Sequence, residues 1–531
     1  MIEKTKKRLT KKLTLSSAAT LLVASAFMSQ LLSLVRTKLV NANFPAVGFH
    51  STDSYFAAFN IPDFFYFTIA AGALGVAFMP ILAEHLYRND RKGIWELSNS
   101  LMNLLAIIMG LVGIFIFIFA KPLIQNIVAP NLGPSQLDDA VTIMRFLAFN
   151  PFLFTLSGIL SSVQQTFGRF FFFAIAPIFY NICIILSIFI FKDNIGVVGL
   201  GIGALSGAVL QLLIILMGNR KLDFYWKPKI IWRSKDFKRI LRNLPPRALD
   251  QGMDQMENIV ETNFATRIGQ GYVSYWNNAY TLAAAPALLI GTAISTAAFP
   301  RLANRLAAGR YDLFRIDFLR VLRIITWIIM PVIVICYFAR GYLARLIFSR
   351  NAPEISLIFG YLTVAIFFRT IYAIVSRWFY AQNDTKTPLF VSIFTISFNV
   401  FLVWYLTKPS SYGAAGLAIA ASIVAMVEVL ILLVIMVKRD HLLFNKGFFG
   451  GILKIFSVTG FSVIAGVITI TFLPLGSLDK GFFLLGFKLL IIAAVISGVH
   501  LGMSYLFGLE EASIVVKKLK RIILKPLGVE Y

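Results

Sequence analysis

Arg247, Asp250, Asp254, Glu257 and Glu261 follow one another at intervals of three or four residues. At 3.6 residues per turn that spacing puts all five on one face of a helix, with Asn243 extending the stripe. Stacked carboxylates in an apolar chain can bind a cation or pass protons from a hydrated cavity wall. They can equally form a static network with Arg247 and arginines of other spans, or lie partly outside the bilayer. A charge at the centre of a lipid-facing helix costs about 2.5–3.5 kcal/mol, so within the bilayer this face must look into water or toward basic partners. Basic groups are available within other apolar runs: Arg36, with Lys38 a turn or less away, Arg145, Arg369 and, nearer a helix end, Arg377. The planar guanidinium donates two parallel hydrogen bonds to phosphate oxygens. A chamber with arginines on one side and acids on the other therefore suits an anionic headgroup moved with cation coupling. Each arginine taken singly is as well explained by pairing with an acid. Asp53, Asp63 and Glu428 complete the intramembrane or membrane-edge acids, and Asp53 is expected to cap the helix it precedes.

The elements that must position these groups are membrane spans. With 58% hydrophobic and 14% charged residues among 531, and a mean hydropathy of +0.78, the chain cannot bury its apolar surface in a water-soluble core. Apolar runs of about 20 residues predict an all-α integral membrane protein with about 14 transmembrane helices. They fall near 15–40, 54–82, 101–120, 141–163, 170–191, 197–217, 244–268, 272–299, 321–338, 357–380, 389–406, 414–437, 452–473 and 482–507. The polar seventh is assigned by its place in an internal repeat. Ser54-Tyr55-Phe56 and a run ending Met79-Pro80 return as Ser274-Tyr275-Trp276 and a run ending Phe299-Pro300. Gln164 and Asn181 return as Gln382 and Asn399, and Gly199-Leu200-Gly201 as Gly416-Leu417-Ala418. Six spans per copy give both halves the same orientation, and a duplicated bundle with a binding region between its copies is a common plan for a transporter. The expected organisation is a basic N-terminus (1–14), a six-helix lobe (15–218), a basic connector (219–242), a second six-helix lobe (243–438), two additional helices (439–508) and a basic tail (509–531). The added pair is read as bundle packing or as the wall of a groove for a lipid tail.

A formal charge of +25 does not point to nucleic acid, because the cations cluster at the N-terminus, in the connector from Arg220 to Arg242 and in the tail. By the positive-inside rule these segments, and both termini, are cytoplasmic. The connection bearing Arg340, Arg345 and Arg350 falls outside and is the exception. Cys183 and Cys336 lie in apolar runs, and four histidines lack ligand spacing, so neither a disulfide framework, a metal site nor a cofactor is expected. No Gly-x-x-x-x-Gly-Lys-Ser/Thr loop and no membrane-edge catalytic cluster appear, which favours a transporter over an ATPase or an integral-membrane transferase.

Leu31-Leu32-Ser33-Leu34-Val35-Arg36, Thr52-Asp53-Ser54-Tyr55-Phe56-Ala57-Ala58-Phe59-Asn60-Ile61-Pro62, Gly72-Ala73-Leu74-Gly75-Val76-Ala77-Phe78-Met79-Pro80 and Ala381-Gln382-Asn383-Asp384-Thr385-Lys386-Thr387-Pro388 resemble segments of the MurJ (MviN) lipid II flippases. The resemblance implies a V-shaped transporter of the multidrug/oligosaccharidyl-lipid/polysaccharide exporter superfamily, built of two parallel six-helix repeats plus two C-terminal helices. It implies alternating-access transfer of an undecaprenyl-diphosphate-linked peptidoglycan precursor from the cytoplasmic to the outer leaflet of the bacterial cytoplasmic membrane. Membrane potential or an ion gradient drives this in the family, and the coupling ion expected here is sodium or a proton. By position Arg36 matches the family's first-span arginine and Asp53 its second-span aspartate, while Asp250 or Asp254 is nearest the acid linked to sodium in some members. Lys38, Arg145, Arg247 and Arg369 complete the expected substrate-binding set, and Asp250, Asp254, Glu257 and Glu261 the ion-coupling set. Several family positions differ: Gln30 stands for a second arginine, Tyr66, Phe67 and Ala71 for two arginines and a glutamate, and Thr281 and Ala284 for an arginine and a glutamate. Rival readings are a flippase for another lipid-linked oligosaccharide, a cation-coupled drug antiporter of the same superfamily, and a non-transporting scaffold.

Overall fold

The computed structural model describes residues 15–71, 78–220, 222, 224–348, 350–382, 384–408, 412–476 and 479–513, with the side chains of 15–20, 23, 71 and 243–251 outside that description. Among the described residues all regular structure is helical. Eleven helices there are long and apolar enough to cross a membrane, so this is a multi-pass membrane protein. The chain separates into two compact units, 1–274 and 275–531.

The first unit contains α1 (Leu15–Asn43), α2 (Thr52–Phe65), α3 (Met79–Tyr87), α4 (Arg91–Pro122), α5 (Pro134–Leu147), α6 (Asn150–Thr166), α7 (Phe171–Phe191), α8 (Val198–Asn219) and α9 (Lys235–Ile268). Helix α2 continues into a π-helical turn, Tyr66–Ala71, and α4 into another, Leu123–Val128. Pro62 lies within α2 and Pro122 ends α4; a proline lacks the N–H for the i−4 bond and crowds the preceding turn, so the helix rewinds nearby. The expected fourth span is built from α5 and α6, divided at Ala148-Phe149, because Pro151 favours the first turn of a new helix. Two apolar clusters hold the unit together, one around Val40, Ile124, Ile143 and Leu200, the other around Ile81, Leu101, Ile159 and Phe237.

Helix α9 packs on α2 and its π turn. Gly252 makes this approach possible, since a Cβ there would stand 2.7 Å from Thr68 Oγ1. The beginning of α9 is tied to α3 by Arg239 Nη1, which donates to Glu84 Oε1 at 3.1 Å, and by His85 Nε2, 3.1 Å from Asp236 Oδ2.

The second unit contains most of α10 (Tyr272–Pro286), then α11 (Ala293–Ala307), α12 (Tyr311–Phe338), α13 (Arg340–Ile347), α14 (Ala352–Ala381), α15 (Lys386–Leu406), α16 (Ala414–Arg439), α17 (Lys446–Phe472) and α18 (Phe482–Leu506). A π turn, Ala287–Thr292, follows Pro286 and lies against α14. Gly291 is needed there, because a Cβ would come within 3.0 Å of the Thr370 backbone. Each unit by itself repeats one set of neighbours: the π turn against α6 or α14, α4 against α6 as α12 against α14, and α7 against α8 as α15 against α16. The repeated glutamines behave differently, since Gln164 donates across to Ile215 O of α8 at 2.7 Å whereas Gln382 donates within its own helix to Trp378 O at 3.1 Å.

The added pair, α17 and α18, packs on α12 through an apolar seam with polar clasps. Trp327 Nε1 donates to Ser504 Oγ at 2.9 Å, and buried His500 sits 3.2 Å from Ser462 Oγ. Of Arg340, Arg345 and Arg350, the first two are engaged locally. Arg340 donates to Tyr337 O at 2.7 Å, and Arg345 donates to Gly476 O at 2.6 Å in the loop between α17 and α18. These hydrogen bonds fasten α13 to the end of α12 and to that loop.

Candidate functional site

Helix α9 has two chemically different faces. At 100° per residue Gly252, Ile259 and Asn263 fall within about 20° of one direction, and Asp254, Glu257 and Glu261 fall on the opposite side. The first group faces α2, α4 and their π turns: Gly252 meets Thr68, Ile259 joins the apolar cluster, and Asn263 Nδ2 donates to Ile127 O at 2.7 Å. The acids form a gradient along the other face, with Asp254 exposed, Glu257 half-buried and Glu261 only 1% exposed. Position 250 and position 247 lie on α9 by backbone, but the side chains of Asp250 and Arg247 fall outside the described residues.

The cationic positions are distributed over distinct environments. Arg36, half-buried on α1, donates to Ser33 Oγ at 3.4 Å and acts electrostatically on Asp63 and Tyr55 of α2 and Tyr180 of α7. Lys38 is half-buried two residues on. Arg145 stands apart: it is exposed and lies on Phe117 of α4, with its Nε 3.4 Å from Phe117 O and its guanidinium carbon 5.7 Å from the ring centroid. In the second unit Arg369 of α14 reaches Tyr280 of α10, with Nη1 donating to the phenol at 3.3 Å. Two turns further, Arg377 donates to Thr296 Oγ1 at 3.4 Å and lies over Phe299. Tyr180 and Tyr280 carried no signal in the sequence, and Tyr55 was legible only as part of the repeat, because a tyrosine in an apolar span reads as packing until its neighbour is known.

Asp53 corrects a local expectation. Instead of capping its own helix, where Ser51 occupies the N-cap position, it lies in the first turn of α2 and accepts from the turn 218 residues away. Gly271 N donates to Oδ2 at 2.6 Å, and Ser274 N and Ser274 Oγ donate to Oδ1 at 2.8 and 2.6 Å. Thr52 Oγ1 adds a 2.6 Å contact to Ser274 Oγ, while Ser54 Oγ donates to Gln136 O at 2.8 Å. Asp53 thus satisfies the first N–H groups of α10. The only signal in the sequence was the serine shared by the two repeat copies, Ser54 and Ser274, which was legible as duplication and not as contact.

Asp384, within the fourth resembling segment, is the corresponding device in the second unit. Its Oδ1 accepts from the N–H groups of Lys386 and Thr387, both at 3.0 Å, and its Oδ2 from Thr387 Oγ1 and Arg439 Nη1, both at 2.6 Å. Burial alone would raise this carboxyl, but the hydrogen bonds from Thr387 and Arg439 outweigh it and hold it at about 2. A folded value below the unfolded ~3.9 means that the stabilisation is whole above about pH 4 and is lost as pH falls toward 2. Asp384→Ala is expected to cost about 1–2 kcal/mol at pH 7 through the lost cap. The difference from the parent protein in unfolding experiments should shrink below pH 4; an undiminished gap at pH 3 would refute the role of the charge.

Comparison with known proteins places these features in a family. The model of the lipid II flippase MurJ family matches residues 48–494. A probable lipid II flippase MurJ of Borreliella burgdorferi is 25% identical over 429 residues, covering 79% of this chain and 83% of that protein. The lipid II flippase MurJ of Burkholderia cenocepacia is 27% identical over 443 residues, covering 79% and 83%. In fold the chain is similar to a lipid II flippase MurJ in an inward closed conformation, with a TM-score of 0.74 and 23% identity over 92% of this chain and 98% of that one. It is also similar to an inward-facing multidrug resistance MATE family transporter of the MOP superfamily, with a TM-score of 0.65 and 18% identity over 83% and 98%. With the family's description running through both units and into the middle of α18, the chain belongs to the MurJ lipid II flippase family.

Proposed function

We infer that this protein is a flippase that moves lipid II, an undecaprenyl-diphosphate-linked peptidoglycan precursor, from the cytoplasmic to the outer leaflet of a bacterial cytoplasmic membrane. Family membership supports the substrate class. The observation that carries the reading from family to chemistry is Arg36, a guanidinium held half-buried within a helix of the bundle, where a diphosphate would need a donor fork. In this reading the chain has 14 spans. Helix α1, the α2–α3 segment and α9 join the eleven apolar ones, as two parallel six-helix repeats with α17 and α18 added, and both termini are cytoplasmic. Arg36 and Lys38 receive the headgroup, Arg247 and Arg369 are further candidate donors, and transfer proceeds by alternating access. The exposed position of Arg145 on Phe117 suits headgroup capture less well than a surface contact.

The graded face of α9 supplies the coupling. Asp254, exposed, admits a sodium ion or proton; Glu257 relays it; and Glu261, buried, reads its charge, with Asp250 assigned to the same ladder by register. Purified protein in liposomes carrying lipid II, scored for outer-leaflet precursor under imposed sodium or proton gradients, tests the whole reading. Parent protein is expected to flip lipid II and to respond to one gradient. Glu257→Gln is expected to flip at a basal rate that no longer responds. Failure of the parent to flip would remove the function, whereas an unchanged gradient response in Glu257→Gln would remove only the ladder.

A further inference from the structure

The connector after α8 is bound to α4 along its length. Asn99 Nδ2 donates to Tyr225 O at 3.1 Å and Asn99 Oδ1 accepts from Lys227 N at 3.1 Å. Asn103 Nδ2 donates to Lys227 O at 2.6 Å and Lys229 O at 3.1 Å, while its Oδ1 accepts from Trp226 Nε1 at 2.7 Å. Ser100 Oγ accepts from Ile231 N at 3.1 Å. Three polar side chains near the start of α4 thus satisfy an extended backbone that would otherwise rest on water alone.

Under this strap lies a pocket of about 520 Å³, inside the size range of ligand sites. Its walls are apolar side chains of α4, α6 and α8, among them Ala106, Leu156, Leu160 and Leu212, and its lid is Phe224, Trp226 and Ile230 of the connector. The pocket therefore begins at the basic connector and runs between helices long and apolar enough to cross a membrane. Residues 220–242 carry nine Lys and Arg against two Asp. Lys227 and Lys229, both exposed, flank Pro228 on the lid. An apolar cavity under an exposed cationic strap with an interfacial tryptophan has the polarity of one lipid, tail inward and anionic phosphate outward.

We propose that this pocket binds one acyl chain of an anionic phospholipid, with its headgroup phosphate held by Lys227 and Lys229. The site lies entirely within the first unit and does not rest on the transport reading. Occupancy fills the space between connector and bundle, and so holds the strap that leads into α9.

Native mass spectrometry of the detergent-purified full chain, titrated with phosphatidylglycerol or phosphatidylcholine, reads this directly. The parent is expected to retain one phosphatidylglycerol in preference to phosphatidylcholine. Each surface lysine contributes roughly five-fold toward an anionic lipid, so Lys227→Gln with Lys229→Gln should lower that preference about 30-fold while a lipid is still bound. Ala106→Trp, which fills the cavity, should abolish retention of either lipid; Leu156→Trp fills it from α6 and serves if the first variant fails to fold, as judged by helical circular dichroism. Equal retention of the two lipids by the parent, or undiminished retention in a folded tryptophan variant, would overturn the proposal.

Discussion

Replacing Arg36 by alanine is expected to lower lipid II flipping at least about 30-fold, the low end of what removing one member of a buried hydrogen-bonded charge pair costs. Arg36→Lys should recover part of the rate, since an ammonium restores charge but not the parallel donors that fit a phosphate. The arginine's influence on Asp63 leaves a second explanation, in which its task is only to neutralise that carboxylate. The two separate cleanly in the double variant. If Arg36 merely balances Asp63, then Arg36→Ala with Asp63→Asn removes both charges and should return activity, because no uncompensated ion remains. If Arg36 holds the diphosphate, the double variant should stay as inactive as Arg36→Ala. Complementation of cells depleted of their own lipid II flippase, with membrane levels of each variant measured alongside, decides between them; restored growth in the double variant would end the headgroup assignment.

What the sequence made legible was whatever repeats or alternates over a short range. Helical spacing alone set the acids of α9 on one face, and the three described ones do lie opposite Gly252, Ile259 and Asn263. The gradient from exposed Asp254 to buried Glu261 was not legible, since burial depends on which helices lie alongside at each level and not on the spacing of α9 itself. Hydropathy located the apolar spans but could not foresee the π turns after Pro122 and Pro286, where a missing N–H is resolved by rewinding instead of a break. The connector's composition was plain, yet its attachment was hidden in Asn99, Ser100 and Asn103, residues that look incidental at the start of a long apolar run. Asp53 is the sharpest case. Capping rules are local, so an acid at the start of a helix was assigned to that helix, whereas the free N–H groups it serves come from Gly271 and Ser274.

That exchange of partners makes Asp53 the position where a small change should have a large mechanical effect. Its carboxylate is 1% exposed and receives three hydrogen bonds, so Asp53→Asn removes the charge and turns an amide NH2 toward groups that are themselves donors. A hydrogen bond to a charged group is worth about 1.5–3 kcal/mol, and losing the advantage of two of them weakens the junction by roughly 3 kcal/mol. At 1.36 kcal/mol per tenfold, the open population at this junction should rise about 100-fold. Val273 lies beside Ser274 and is fully buried, so Val273→Cys reports the opening through its rate of reaction with a water-soluble, membrane-impermeant maleimide. Labelling is expected to be slow with Asp53 intact and about two orders of magnitude faster with Asp53→Asn, at unchanged helical content. If α2 and the Gly271–Ser274 turn separate in every transport cycle, labelling of the Asp53-intact reporter should also accelerate when lipid II is being flipped. A labelling rate indifferent to Asp53→Asn would show that the apolar packing around Tyr55 and Val40, rather than the carboxylate, holds this junction shut.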